Sequence, residues 1–137
     1  MKEMQIKETK INGCVVITAD VHNDGRGFFM ETYRRSWAEE IDAFTGEFVQ
    51  DNQSFSRYGT IRGLHFQTSA FAQAKLVRVV VGKILDVAVD LRIKSPTYGK
   101  HISVVLSAEK NHQLWIPKGF AHGFSVLSES AVVCYKC

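Results

Sequence analysis

No window of this 137-residue sequence approaches the twenty or so apolar residues that a membrane span requires. The N-terminus, MKEMQIKETK, has neither the apolar region of a signal peptide nor the character of a transit peptide, so a cytoplasmic protein is expected. Runs of like charge are also missing. The net charge of +3 is spread as single lysines and arginines, which excludes a nucleic-acid tail or a membrane-facing patch and leaves a small anion as the expected charged ligand. Cysteine is scarce and odd in number, Cys14, Cys134 and Cys137, which suits free thiols in a reducing compartment better than a disulfide framework. Cys134-Tyr-Lys-Cys137 has C-x-x-C spacing, yet alternation along a β-like run sends the two thiols to opposite faces. No second pair exists to complete a tetrahedral zinc site, so the spacing reads as chance. With no repeat, low-complexity tract or linker, residues 1–137 are expected to form one unit, long enough to bury a core without staples.

What the sequence does have is strand. GCVVITAD, EFVQDNQSFS, TIRGLHFQ, AKLVRVVVGKILDVAVDLRI, HISVVLS, HQLWIPKGF, HGFSVLS and AVVCYK are short and rich in β-branched and aromatic residues. Glycine- or serine-containing turns separate them at roughly 8–12-residue spacing, the pattern of a sandwich or barrel. The long run divides at Gly82-Lys83, read as a hairpin turn. One helix is expected over SWAEEIDA, Ser36 to Ala43, with Ser36 as N-cap and Glu39 as its capping-box partner. The class is all-β with one or two short helices.

Alternation along TIRGLHFQ puts Gly63, His65 and Gln67 on one face and Leu64 and Phe66 on the other. Taken alone, a strand histidine such as His65 is more often structural than a base or a metal ligand. Lys75, Val77 and Val79 share a face, as do Asp86, Ala88 and Asp90; the carboxylate pair is either a polar interior stripe or a charged outer face. IPKGFAHGF contains Pro117-x-Gly119-x-x-His122, similar to the second motif of the cupin barrels, whose turn delivers a histidine to the interior. Metal-binding cupins also need an earlier H-x-H with a downstream glutamate, where this sequence has His65 alone, followed by Gln67. Two histidines are too few to enclose a metal ion, so no metal is expected and both are free for proton transfer. A neutral imidazole near its own pKa suits general-base work.

Longer blocks carry a fuller resemblance. NDGRGFFMETY, FVQDNQSFSRYGTIRGLHFQ, QAKLVRVVVGKILDVAVDLRIKSPTYGKH, QLWIPKGFAHGFSVLSE and the final YK resemble, in order and spacing, the dTDP-4-dehydrorhamnose 3,5-epimerase family over nearly the whole chain. The resemblance implies a metal-free, cofactor-free cupin-type jelly roll that dimerises and acts in deoxysugar biosynthesis for cell-surface polysaccharide such as lipopolysaccharide. It implies that His65 is the base that removes protons next to the C4 ketone of a dTDP-linked, or UDP-linked, 4-keto-6-deoxyhexose. Tyr135 would hold the acid position on the opposite face of the ring, and Lys75 would lie by the ketone oxygen. Arg62 and His122 would line the same pocket, and Gln50 and Asn52 would meet the diphosphate end. Arg26, Phe29 and Glu31 match the block that contacts the nucleotide, in the family partly from the neighbouring subunit. Epimerising a carbon next to a ketone needs a base, an acid on the other face and a cation where the enolate oxygen grows, and all three are present. Regular alternation places Arg62 and His65 on opposite faces, so a bend or bulge near Gly63 is required if both reach the pocket.

The sequence departs from the family pattern at one point. Family members run on past the tyrosine strand into an extension whose aspartate orients the catalytic histidine; here the sequence ends two residues after Tyr135. Asp86 and Asp90 are the candidates to take its place. Three activities are compatible with the pattern: epimerisation at C3, C5 or both; sugar-nucleotide binding without turnover; and movement of the ketone between C4 and C3.

Overall fold

In the computed structural model, which describes residues 4–41 and 46–137, the valine-rich runs become strands whose alternate residues turn inward. The strands are β1 (Met4–Glu8), β2 (Val15–Ala19), β3 (Val21–Asp24), β4 (Gly27–Met30), β5 (Asp51–Arg57), β6 (Ile61–His65), β7 (Lys75–Val81), β8 (Lys83–Asp90), β9 (His101–Ser107), β10 (His112–Ile116), β11 (Phe120–Val126) and β12 (Ser130–Lys136). A six-stranded sheet runs in the order β1-β2-β10-β7-β12-β5 and a four-stranded sheet in the order β6-β11-β8-β9; β3 and β4 pair only with each other. All pairings are antiparallel. From β5 onward every connection except β8 to β9 passes from one sheet to the other, which is the jelly-roll arrangement the sequence pattern implied.

Between the sheets lies an apolar cluster of Val77, Val79, Ile84, Ala88, Leu106, Leu114, Ile116, Phe124, Val126 and Val133 with their neighbours. Strand β8 shows how the pattern builds it: in Lys83–Asp90, Ile84, Asp86, Ala88 and Asp90 are buried while the residues between them are partly exposed or exposed. A second cluster covers the outer face of the larger sheet, where Val15, Ile17, Leu76 and Trp115 pack against Trp37 and Ile41. The extended neighbour of β12 aligns it at both edges, Tyr135 standing opposite Asn52 on β5 and Val77 on β7.

Three local expectations need correction. Gly82 does separate two strands, but β7 and β8 belong to different sheets, so it forms a corner and not a hairpin. Its φ of 82° and the backbone oxygen of Ser130 and hydroxyl of Ser128 against the place of a Cβ leave glycine alone able to turn there. The expected helix is a 3-10 helix over Arg35–Glu40, entered from Arg34 with no side-chain cap, so Ser36 is not an N-cap and Glu39 closes no capping box. Trp37, buried on the outer cluster, anchors that segment instead; residues 42 and 43 of the expected span lie outside the described residues. A second 3-10 turn covers Ser69–Phe71.

Candidate active site

Strands β5, β6, β7, β8, β11 and β12 carry most of the residues marked by the sequence, and their register and contacts bring several of them together between the sheets. On β6 the alternation breaks where expected. His122 of β11 stands opposite His65, and Phe124, two residues on, stands opposite Arg62, so β6 uses three residues where β11 uses two. This bulge at Gly63 returns Arg62 to the same face as His65. The two strands approach closely there: a Cβ on Gly63 would lie 2.7 Å from the Gly123 Cα and from the His122 carbonyl oxygen. Arg62 donates through Nε to Ser56 Oγ at 2.8 Å and through Nη2 to the Phe55 carbonyl at 3.2 Å, which ties β6 across the open end of the sandwich to β5.

Lys75, first residue of β7, and Tyr135, near the end of β12, project inward from the larger sheet, the ammonium 5.7 Å from the centre of the tyrosine ring. Tyr135 packs its ring on the core cluster. Asn52 accepts a hydrogen bond from Gln50 Nε2 at 2.8 Å and donates to Cys137 Sγ at 3.6 Å, so both polar residues flank Tyr135. Burial pulls the Lys75 ammonium below the ordinary lysine range, opposed by its attraction to Cys137 and Asp86.

His122 is buried and its Nε2 lies 2.6 Å from Asp86 Oδ1. Asp86 is fully buried; burial raises its carboxyl above the ordinary range, against the pull of the His122 hydrogen bond and charge and of Lys75. The polar-interior reading of the Asp86/Asp90 stripe therefore holds, and the expectation that one of them orients His65 does not. Asp86 is committed to His122, and Asp90 is enclosed by Arg92, Ser95 and Thr97. Among the described residues no hydrogen bond is made by the His65 ring, which is exposed. No group of three or more His, Cys, Asp or Glu gathers at metal-binding distance among the described residues.

Arg26, Phe29 and Glu31 are not brought to this cluster. They ride on the β3–β4 hairpin and the segment after it: Arg26 pairs bidentately with Asp24, Phe29 is 65% exposed and stacks on His22, and Glu31 accepts from Arg34. The C-x-x-C spacing behaves as chance, since Cys134 donates to Gln53 on the outer face while Cys137 meets Asn52, and all three thiols are free. Sequence reasoning missed Ser54 and Ser56, which share the inward face of β5 with Asn52; the alternation in Asn52-Gln-Ser54-Phe-Ser56 carried that signal. Ser54 Oγ is buried without a hydrogen-bond partner.

Chemically, these strands offer an accessible imidazole on β6 and a phenol and a partly desolvated ammonium on β12 and β7. A model of the dTDP-4-dehydrorhamnose 3,5-epimerase family matches residues 8–137. The enzyme of that name from Shigella flexneri is 52% identical over 133 residues, covering 97% of this chain and 74% of that protein. The crystal structure of dTDP-4-dehydrorhamnose 3,5-epimerase from Elizabethkingia anophelis NUHP1 superimposes with a TM-score of 0.93 at 50% identity, over 98% of this chain and 74% of that one. The dTDP-6-deoxy-D-glucose-3,5-epimerase of Legionella pneumophila Philadelphia 1, solved with dTDP-4-keto-L-rhamnose, gives 0.93 at 49% identity over 98% and 71%. With its jelly roll, its inward His65, Lys75 and Tyr135, and these likenesses together, the chain belongs to the dTDP-4-dehydrorhamnose 3,5-epimerase family.

Proposed function

We propose that this protein is a sugar-nucleotide epimerase that inverts C3, C5 or both of a dTDP-linked 4-keto-6-deoxyhexose, in deoxysugar biosynthesis of the rhamnose type. The observation that supports the reading is the Lys75 ammonium 5.7 Å from the centre of the Tyr135 ring on one sheet, with His65 opposite His122 on the other. His65 takes the proton from the carbon next to the ketone, and the electron pair of that C–H bond moves into the C3–C4 or C4–C5 bond as the ketone becomes an enolate. Lys75 meets the charge growing on the C4 oxygen, where a preorganised cation is worth most. Tyr135 returns a proton to the carbon from the opposite face, inverting it, and regains one from His65 by way of solvent. The cost of forming the carbanion is thereby divided between a base and a fixed charge.

Asn52, Gln50 and Arg62 supply donors for the nucleotide diphosphate, the guanidinium being suited to a phosphate by its fork geometry. The β3–β4 hairpin carries Arg26, Phe29 and Glu31 away from this chain's own pocket, which supports the reading that a second copy receives them at its nucleotide site, as a homodimer. Incubation with the keto sugar nucleotide in D₂O tests the activity: deuterium appears at C3, C5 or both, and its absence at both carbons overturns the reading. Binding of dTDP without exchange would mark a binding protein, and a ketone at a new position a ketoisomerase. His65→Asn abolishes exchange; retained exchange removes His65 as the base.

A further inference from the structure

The row of inward residues on β8 contains two buried carboxylates in very different settings. Asp90 is satisfied on both oxygens: Oδ1 accepts from the backbone N–H and Nε of Arg92, Oδ2 from Arg92 Nη2, Ser95 and Thr97. That is what a structural carboxylate requires. Among the described residues Asp86, set between Ile84 and Ala88 and 0% exposed, has one hydrogen-bond partner, His122, and its buried Oδ2 has none. A carboxylate held in an apolar row with half its acceptors unused costs stability, so packing alone does not account for it. The titratable groups that face it are His122 from β11, Lys75 from β7 and Cys14 from the loop before β2, with His65 on β6 standing across from His122.

We propose that Asp86 is a positioning residue for the epimerase reaction: its carboxylate fixes His122 as the tautomer protonated on Nε2, and its charge keeps the Lys75 ammonium protonated in the desolvated pocket. The inference rests on the reading of Lys75 as the group that meets the ketone oxygen. The proton lies on His122 Nε2 and donates to Asp86 Oδ1, leaving Nδ1 as an acceptor. Burial pulls the ammonium toward losing its proton, and Asp86 opposes that pull from the facing sheet. The enolate therefore meets a cation already in place.

Neither test depends on turnover. Nitrogen-15 NMR of histidine-labelled wild-type protein at neutral pH should show His122 protonated on Nε2 and bare on Nδ1; a proton on Nδ1 with Nε2 bare overturns the assignment. In Asp86→Asn, which keeps an amide oxygen for the Nε2–H, removes the charge and puts an NH2 in place of the second oxygen, the Lys75 titration followed by carbon-13 NMR should fall by about one pH unit. An unchanged midpoint overturns the proposal. Under turnover the same variant should lose about tenfold or more in kcat with KM nearly unchanged, and the basic limb of its pH profile should move down with the lysine. Should Asp86→Asn not fold, the reciprocal measurement decides: in Lys75→Met the Asp86 carboxyl, read by carbon-13 NMR, must titrate at higher pH than in wild type, and an unchanged carboxyl refutes the coupling. Failure of the deuterium exchange in wild type would instead count against the epimerase reading and leave these titrations standing.

Discussion

Replacing Gly123 by alanine should disable the site without touching any group that does chemistry. A Cβ at this position would lie 2.6 Å from the Arg62 carbonyl oxygen, 3.1 Å from Leu64 Cδ2 and 3.2 Å from the Gly63 Cα. Ordinary contact begins at 3.4 Å, so β6 and β11 must part by about 0.8 Å at the bulge. Two of the three obstacles are backbone and cannot swing aside. Overpacking of this kind costs about 1–3 kcal/mol, and for a domain of this size each kcal/mol lowers Tm by about 4 °C. The larger effect is on catalysis, because the strand that is pushed away carries His65 two residues past Gly63. A base displaced by close to 1 Å loses on the order of 10² in rate. Calorimetry should show a fall in Tm of about 4–12 °C, and deuterium exchange measured well below that temperature should show a fall of about a hundredfold in kcat with the backbone otherwise native by NMR. A variant with wild-type Tm and wild-type exchange would refute the claim that the close approach of these two glycines sets the position of the base.

Other outcomes follow from individual side chains. Lys75→Ala should cut turnover by about 10²–10³ while the melting temperature moves little, checked by paired kinetics and calorimetry. Burial alone would raise the Asp90 carboxyl, but hydrogen bonds from Arg92, Ser95 and Thr97 overcome it and hold the group well below the ordinary carboxylate range. A depressed folded-state value means stability that is present above the unfolded carboxylate range and is lost as pH falls toward the folded value. Asp90→Asn should therefore be less stable than wild type in urea at pH 7, and the gap should narrow steadily below about pH 4. The Cys14 thiol is pushed up to about 12 by burial and then by the charge of Asp86, so alkylation at pH 8 should mark Cys134 in the native protein and reach Cys14 only after unfolding, read by mass spectrometry.

The strands that were legible in the sequence are those with one buried and one wetter face, because burial imposes the two-residue period. Val15–Ala19, Lys75–Val81, Lys83–Asp90 and His101–Ser107 all lie within the runs read from sequence. Strands β1 and β3–β4 were not legible: all are short, β1 and β3 are mostly polar, and every residue of the hairpin is exposed or partly exposed, so no buried face imposes a period. The corner at Gly82 was placed correctly and its geometry was not, since sequence marks where a chain turns and tertiary pairing decides to which sheet it goes. In the site, Lys75, Tyr135 and Asn52 were marked and lie side by side, and His65 and His122 stand opposite each other on β6 and β11. The pairing of His122 with Asp86 was hidden because it is diagonal: on the backbone His122 faces Ala88 and Asp86 faces Phe124, so only the register brings the side chains together. The bulge at Gly63 was legible in advance, because alternation demanded a break between Arg62 and His65 and the glycine between them is the residue that permits one.

Because six of the seven links between β5 and β12 cross between the sheets, one through the single residue Gly82, the two walls of the pocket are laced together along their length. They cannot part like the halves of a shell. Access to the residues between them is then set at the edges, where Arg62 and His65 of β6 stand exposed. Selectivity for ring size and for the sugar's substituents is then a matter of passage as much as of fit, so a substrate can be refused before it ever reaches the lysine.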